Sequence, residues 1–289
     1  MSYHSQVVIY EHKQQFKIRK LEEFFGDSIE NIILNYELPV YMIYIMNGDE
    51  RALQTRYENI YKSILSCVHA SDARTPLQYA KDIVMAWIFE TYIMKNLQKC
   101  GLQLVRNGGD KDYQFLQGTN ISSDSDFMLG NQRVELICNY TDYWTKHNCI
   151  DLRENKAKHL YQFNTLVLGF TLEEDYCLVI DFSKYLPNEY IPDYPAFGGK
   201  PAHRIMITAD MKVPMNFNAV AQRITEIIQR QDNTTSLLDF GFQEHLHCFY
   251  LKCDACKAPL LYKDVRPDLK ECPKCKKLFA ECVQVYKNT

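Results

Sequence analysis

The stretch Ser122–Leu160, SSDSDFMLGNQRVELICNYTDYWTKHNCIDLRENKAKHL, decides how the rest of the chain is read. Asp126 stands beside Phe127, and Glu135 lies between Val134 and Leu136. Gly130-Asn131-Gln132 suits a turn, so two short strands can bring both carboxylates to one place. Those two side chains and the carbonyl of Leu136 are hard oxygen donors, the kind Mg²⁺ prefers. Arg153, Lys156 and Lys158 follow, so a cation can stand near the acids and offset charge on a phosphate.

The segment before it reads as a long helix. Thr75 can cap, Pro76 fits the first turn, and Gln78 completes a capping box. The apolar positions Ile83, Val84, Trp87, Ile88, Tyr92 and Leu97 then recur at helical spacing, and Cys100-Gly101 stops the run. Glu90 falls among them, and an acid is rarely buried without a partner. Strands are expected over 101–106, 113–116, 126–129 and 133–140, with a turn at Asn107–Asp110. A loop over 141–150, a helix over 151–161 and strands over 163–170 and 176–182 follow. This order implies an α/β (α+β) fold, a mixed sheet flanked by helices. Residues 184–214 are rich in Pro and Tyr; within them 197–204 reads as an exposed loop entering a strand at 205–208, and 218–230 reads as a helix. Ahead of the core, 10–37 reads as helix broken at Gly26–Ser28, and 50–69 as an amphipathic helix. The apolar run Tyr41–Met46 fits either a strand or a buried helix.

No apolar run approaches the ~20 residues that a membrane span requires, and the opening residues lack a signal-peptide core. No membrane partner and a cytoplasmic location are therefore expected. Net charge is −3, but residues 252–277 carry eight Lys/Arg against four acids. A basic tail on an acidic body suits local contact with phosphates.

That tail holds Cys253-x2-Cys256 and Cys272-x2-Cys275. Each pair can clasp one side of a tetrahedral Zn²⁺, and four thiolates close the shell. The pattern resembles a zinc ribbon, a structural element with no open position for chemistry. Its lysines are equally readable as phosphate contacts or as a solvated basic face.

The helix with Glu90, the Gly108-Gly109-Asp110-Lys111-Asp112 turn, Asp126-Phe127 and Val134-Glu135-Leu136 together resemble the catalytic core of the PD-(D/E)xK nuclease superfamily, in particular its type II restriction endonucleases. The resemblance covers about residues 76–182 and divides the chain into a helical region 1–74, a nuclease-like core 75–235 and a ribbon 236–289. It implies that Asp126 and Glu135 bind Mg²⁺ and that Glu90 supports them. In that family a lysine stands two residues after the glutamate, and here that position is Ile137. Lys156, from the next helix, is the candidate replacement, with Lys158 and Lys111 behind it. Arg153, one helical turn before Lys156, is expected on the same face as a phosphate contact. Lys200, His203 and Arg204, in the exposed loop, are further candidates for DNA contact.

The function this implies is Mg²⁺-dependent hydrolysis of phosphodiester bonds in double-stranded DNA at a specific sequence, by a homodimer if the target is palindromic. The rival is a zinc-ribbon nucleic-acid-binding protein whose nuclease-like core is inactive. Ile137 favours the rival; Asp126, Glu135 and Glu90 favour the enzyme.

Overall fold

A computed structural model describes residues 3–67, 74–116, 124–184, 189–238, 251–252 and 259–260. The chain divides into one unit of residues 1–231 and a second of 232–289.

The first unit is a mixed α+β fold. Its long central helix, α6 (Pro76–Lys99), begins at Thr75, whose side chain accepts the Gln78 N–H while Gln78 returns the bond to Thr75. Removing such a cap costs about 1 kcal/mol. Among the described residues five helices precede α6: α1 (Tyr3–Phe25), α2 (Ile29–Asn35), α3 (Tyr41–Asn47), α4 (Glu50–Arg56) and α5 (Glu58–Cys67). The ambiguous run at Tyr41 is thus helical, and its Tyr41, Met42, Ile45 and Met46 are buried. The expected single helix over 50–69 is two. Tyr57 breaks it, leaving helical geometry as its ring meets those of Tyr41 and Tyr44. The N-terminal helices, α6 and one face of the sheet share a single hydrophobic core, which includes Leu21, Ile33, Ile45, Trp87, Phe127 and Phe170.

The main sheet has six strands in the order β1-β2-β3-β5-β6-β9. These are β1 (Leu104–Arg106), β2 (Phe127–Leu129), β3 (Gln132–Asn139), β5 (Leu166–Thr171), β6 (Tyr176–Asp181) and β9 (Lys212–Pro214). β1, β2 and β3 form an antiparallel meander, and β3 pairs with β5 in parallel. A parallel pair needs a crossover, supplied by α7 (Tyr143–His147), β4 (Cys149–Arg153) and α8 (Glu154–Gln162). Alternation along β3 sends Val134 and Leu136 into the core shared with α6, and Glu135 and Ile137 to the opposite face.

Three expectations fail here for local reasons. Residues 113–116 form no strand. Tyr113 sits at φ +58°, and the Phe115 ring packs on Trp87 instead. The expected loop 141–150 contains α7 and the start of β4. The expected helix over 151–161 begins only at Glu154, because Asp151–Arg153 belong to β4.

β4 joins a second sheet of order β4-β8-β7, with β7 (Glu189–Tyr194) and β8 (Lys200–Met206) forming a hairpin, so that 200–204 of the expected exposed loop is strand. The helix α9 (Phe217–Leu238) begins in the first unit, which ends at Gln231. In the second unit, β10 (Leu251–Lys252) pairs antiparallel with β11 (Pro259–Leu260) on either side of the first cysteine knuckle. Cys253, Cys256, Cys272 and Cys275 themselves lie outside the described residues. Among the described residues no helix is long and apolar enough to cross a membrane.

Candidate active site

The β2–β3 hairpin turns over Gly130 and Asn131, with Gly130 at φ +60°, the sign that tight hairpin turns require. Its register pairs Phe127 with Val134, so one step further Asp126 stands across from Glu135. The Leu136 N–H donates to Asp126 Oδ2 at 2.7 Å, which fixes that carboxylate over the strand carrying Glu135. The expected meeting of the two acids is therefore built by the hairpin.

Lys156 comes from the first turns of α8, and its Nζ is ion-paired with Glu135 Oε1. The Glu135 side chain is 6% exposed and that of Lys156 is 42% exposed, so the amine reaches in from the rim. Of the three candidate lysines only this one lines the site. Lys158 pairs with Glu154 at 2.8 Å along the helix, and Lys111 is exposed at the turn. Ile137 shares the face of Glu135, two residues on, and carries no charge there.

Asp126, Glu135 and Lys156 line a cleft of about 460 Å³ together with Tyr79, Trp87 and His159. Glu90 does not line it but stands behind it on α6, where Arg106 Nη2 donates to its Oε2 at 2.6 Å. Burial pushes the Glu90 carboxyl up to about 7 in spite of Arg106, and the charges of Asp110 and Glu135 add to the rise. Asp126 is raised well above the usual carboxylate range, by burial first and then by Glu90 and Glu135, against the pull of Lys156. The acids thus repel one another across an enclosed space, the electrostatic setting that a divalent cation relieves.

Among the described residues no three His, Cys, Asp or Glu side chains form a ready cage for a metal ion. Mg²⁺ seldom needs one; it keeps several waters and is commonly held by one or two carboxylates and the substrate's phosphate. The oxygen donors Asp126 and Glu135 and their mutual repulsion fit that mode.

Arg106, Asp110 and His159 were not singled out as site residues from sequence. Arg106 was signalled by Glu90, since a buried acid demands a partner. Asp110, whose Oδ2 accepts the Trp87 indole N–H at 2.5 Å, lies in the Gly-Gly-Asp turn and also lines the cleft. His159 lies one turn after Lys156 on α8, and burial, then Arg133 and Lys156, hold its imidazole below its ordinary range.

The proposed DNA contacts divide. Arg153 is on a strand end and not on a helical face shared with Lys156; it is exposed, with its guanidinium 5.5 Å from the centre of the Phe197 ring. Lys200 is exposed at the start of β8. His203 is 2% exposed, buried on β8 next to the equally buried Ala202. Arg204 is committed to Asp151, donating from Nε to Oδ1 at 2.8 Å and from Nη2 to Oδ2 at 3.1 Å. Neither residue is the open loop contact expected of it.

Comparison with known proteins gives no match to a family model, to a curated protein or to a solved structure.

Proposed function

We propose that the chain is a metal-dependent phosphodiesterase of the PD-(D/E)xK type, and within that class a Mg²⁺-dependent endonuclease of double-stranded DNA. The observation that carries this reading is the contact of Lys156 with Glu135, beside Asp126 and in one cleft. It brings a lysine to Glu135 although Ile137 carries no charge, and so supports the enzyme over the inactive core. The mixed sheet flanked by helices, with an acid on the preceding helix, supports the same resemblance.

Asp126 and Glu135 would hold the ion, which when bound supplies Lewis-acid stabilisation of charge on the phosphate. Asp126 is kept in place by the Leu136 N–H, and Glu135 by its strand and by Lys156. Lys156 directs the attacking water and balances the negative charge that grows on the phosphate oxygens. Behind the acids, Arg106 holds Glu90 through a 2.6 Å contact. Exposed Arg153 and Lys200 are the remaining basic candidates for the DNA backbone, the four cysteines for Zn²⁺, and a homodimer for a palindromic target.

Incubating the full chain with plasmid tests the reading. Discrete fragments are expected with Mg²⁺, none with EDTA, and none from Glu135→Ala. A mobility shift without any cutting, in Mg²⁺ or Mn²⁺, sinks the enzyme and leaves a nucleic-acid-binding protein.

A further inference from the structure

The cleft has two chemically different walls. One carries Asp126 and Glu135 from the hairpin with Lys156 and His159 from α8. The other is α6, which presents Tyr79, Ile83 and Trp87 at intervals of four residues, extended by Leu116. A stripe with that spacing is ordinarily core, and Trp87, at 1% exposure, is core. Tyr79, Ile83 and Leu116 are not; each is only partly buried and borders open space. The Arg74 guanidinium lies 4.6 Å from the centre of the Tyr79 ring, which steadies that ring at the rim.

In a DNA phosphodiester the largest flat apolar face that such a wall can meet is the base. The volume, about 460 Å³, lies within the ~300–1,000 Å³ typical of sites that enclose a small organic ligand. We propose that the Tyr79–Ile83–Leu116 wall takes a nucleobase of the substrate while the acid and lysine wall takes the adjoining phosphate. The inference rests on the phosphodiesterase reading and narrows its substrate. A base seated against α6 has left the helical stack, which is cheapest where it is unpaired, mismatched or single-stranded. The favoured substrate is therefore DNA with an unpaired or extrahelical nucleotide at the cut.

Calorimetric titration of the full chain tests this, with Ca²⁺ present so that binding is read without turnover. The probes are thymidine 5′-monophosphate and 2-deoxyribose 5-phosphate, which differ only by the base. The nucleotide is expected to bind about tenfold more tightly, the order of one base stacked on an aromatic wall. Tyr79→Ala and Ile83→Ala should bring the two probes within about twofold, with sugar-phosphate binding unchanged. Equal binding of both probes by the native chain overturns the inference, and it does so even if a variant fails to fold. Should neither probe bind, the inference falls as well, and the plasmid assay shows whether the cleavage reading falls with it. Faster cutting of a duplex with one unpaired thymidine than of its fully paired counterpart is the matching kinetic result; equal rates count against the seated base.

Discussion

Asp126 and Asp151 are both enclosed carboxylates within the first unit, and their proton affinities move in opposite directions. Burial works against ionisation in both. At Asp151 it is outweighed by hydrogen bonds from Arg204, then Tyr143 and Tyr194, which hold the carboxyl below its usual range. At Asp126 burial is joined by the charges of Glu90 and Glu135, and the carboxyl rises far above that range. One acid is saturated with donors; the other is crowded by acids. Saturation ties β4 to the β7–β8 hairpin and leaves nothing for a ligand to do. Crowding leaves an unmet demand for positive charge beside a cleft. The difference supports a structural reading of one site and the proposed chemistry at the other, and each reading can be broken.

The largest effect is expected at Lys156. Lys156→Ala should lower the single-turnover cleavage rate by about 10²–10³-fold, the scale for loss of one group that stabilises transition-state charge. DNA affinity should change little, because the binding surface remains. Near-normal cutting moves the lysine's role to another residue. If DNA affinity fell as far as the rate, Lys156 would be only a phosphate contact.

At the saturated site the effect is on stability. Arg204→Ala strands Asp151, whose side chain is 4% exposed. Breaking a buried pair from one side costs about 3–5 kcal/mol. The 27% exposure of the Arg204 side chain places this case toward the lower end. Urea unfolding should show that loss. A loss under about 1 kcal/mol would mean that the two tyrosines satisfy Asp151 without the guanidinium.

The acid cluster should also leave its mark on pH dependence. Glu90 titrates near 7 in the folded chain against 4.5 for an ordinary glutamate. Between those values the folded state holds a proton that the unfolded state has lost, so stability falls as pH rises through that window. Below it both states are protonated, and above it both are ionised, so the contribution levels off on each side. Glu90→Gln removes the titration while its amide oxygen still accepts from Arg106, and the fall should flatten. A slope identical to that of the native chain would mean that another group carries it. Added Ca²⁺ should raise the melting temperature of the native chain more at pH 8 than at pH 6, since only ionised acids bind it.

How far the sequence revealed this contrast depends on the range of the interactions. The capping box at Thr75, the turn at Gly130 and the alternation around Glu135 are local signals, and all three describe the observed elements. The approach of Lys156 to Glu135 was reachable because only two short elements, α7 and β4, separate their strand and helix. Asp151 and Arg204 lie 53 residues apart, and nothing local marks them as partners. Read alone, the charged run Asp151–Lys156 looks like a helix start, and Arg204 looks like a free cation in a polar loop. Pairing of β4 with β8 overrides both, turning Arg204 toward Asp151 and His203 to the interior.

The smallest effect tests whether the saturation at Asp151 has any surplus. Tyr143 and Tyr194 both donate to Asp151 Oδ2, and their hydroxyls lie 2.8 Å apart. An acceptor already held by Arg204 gains less from the second phenol than from the first. Tyr194→Phe should therefore cost about 0.5–1.5 kcal/mol, the ordinary net value of one hydrogen bond, since Tyr143 and Arg204 still cover the charge. Removing both hydroxyls should cost more than twice the single loss if the phenols substitute for each other, and the sum of the two if they act independently. A double-mutant cycle by urea unfolding separates these outcomes. Additive losses would make Asp151 a set of separate contacts, and would remove the claim that surplus donors distinguish it from Asp126.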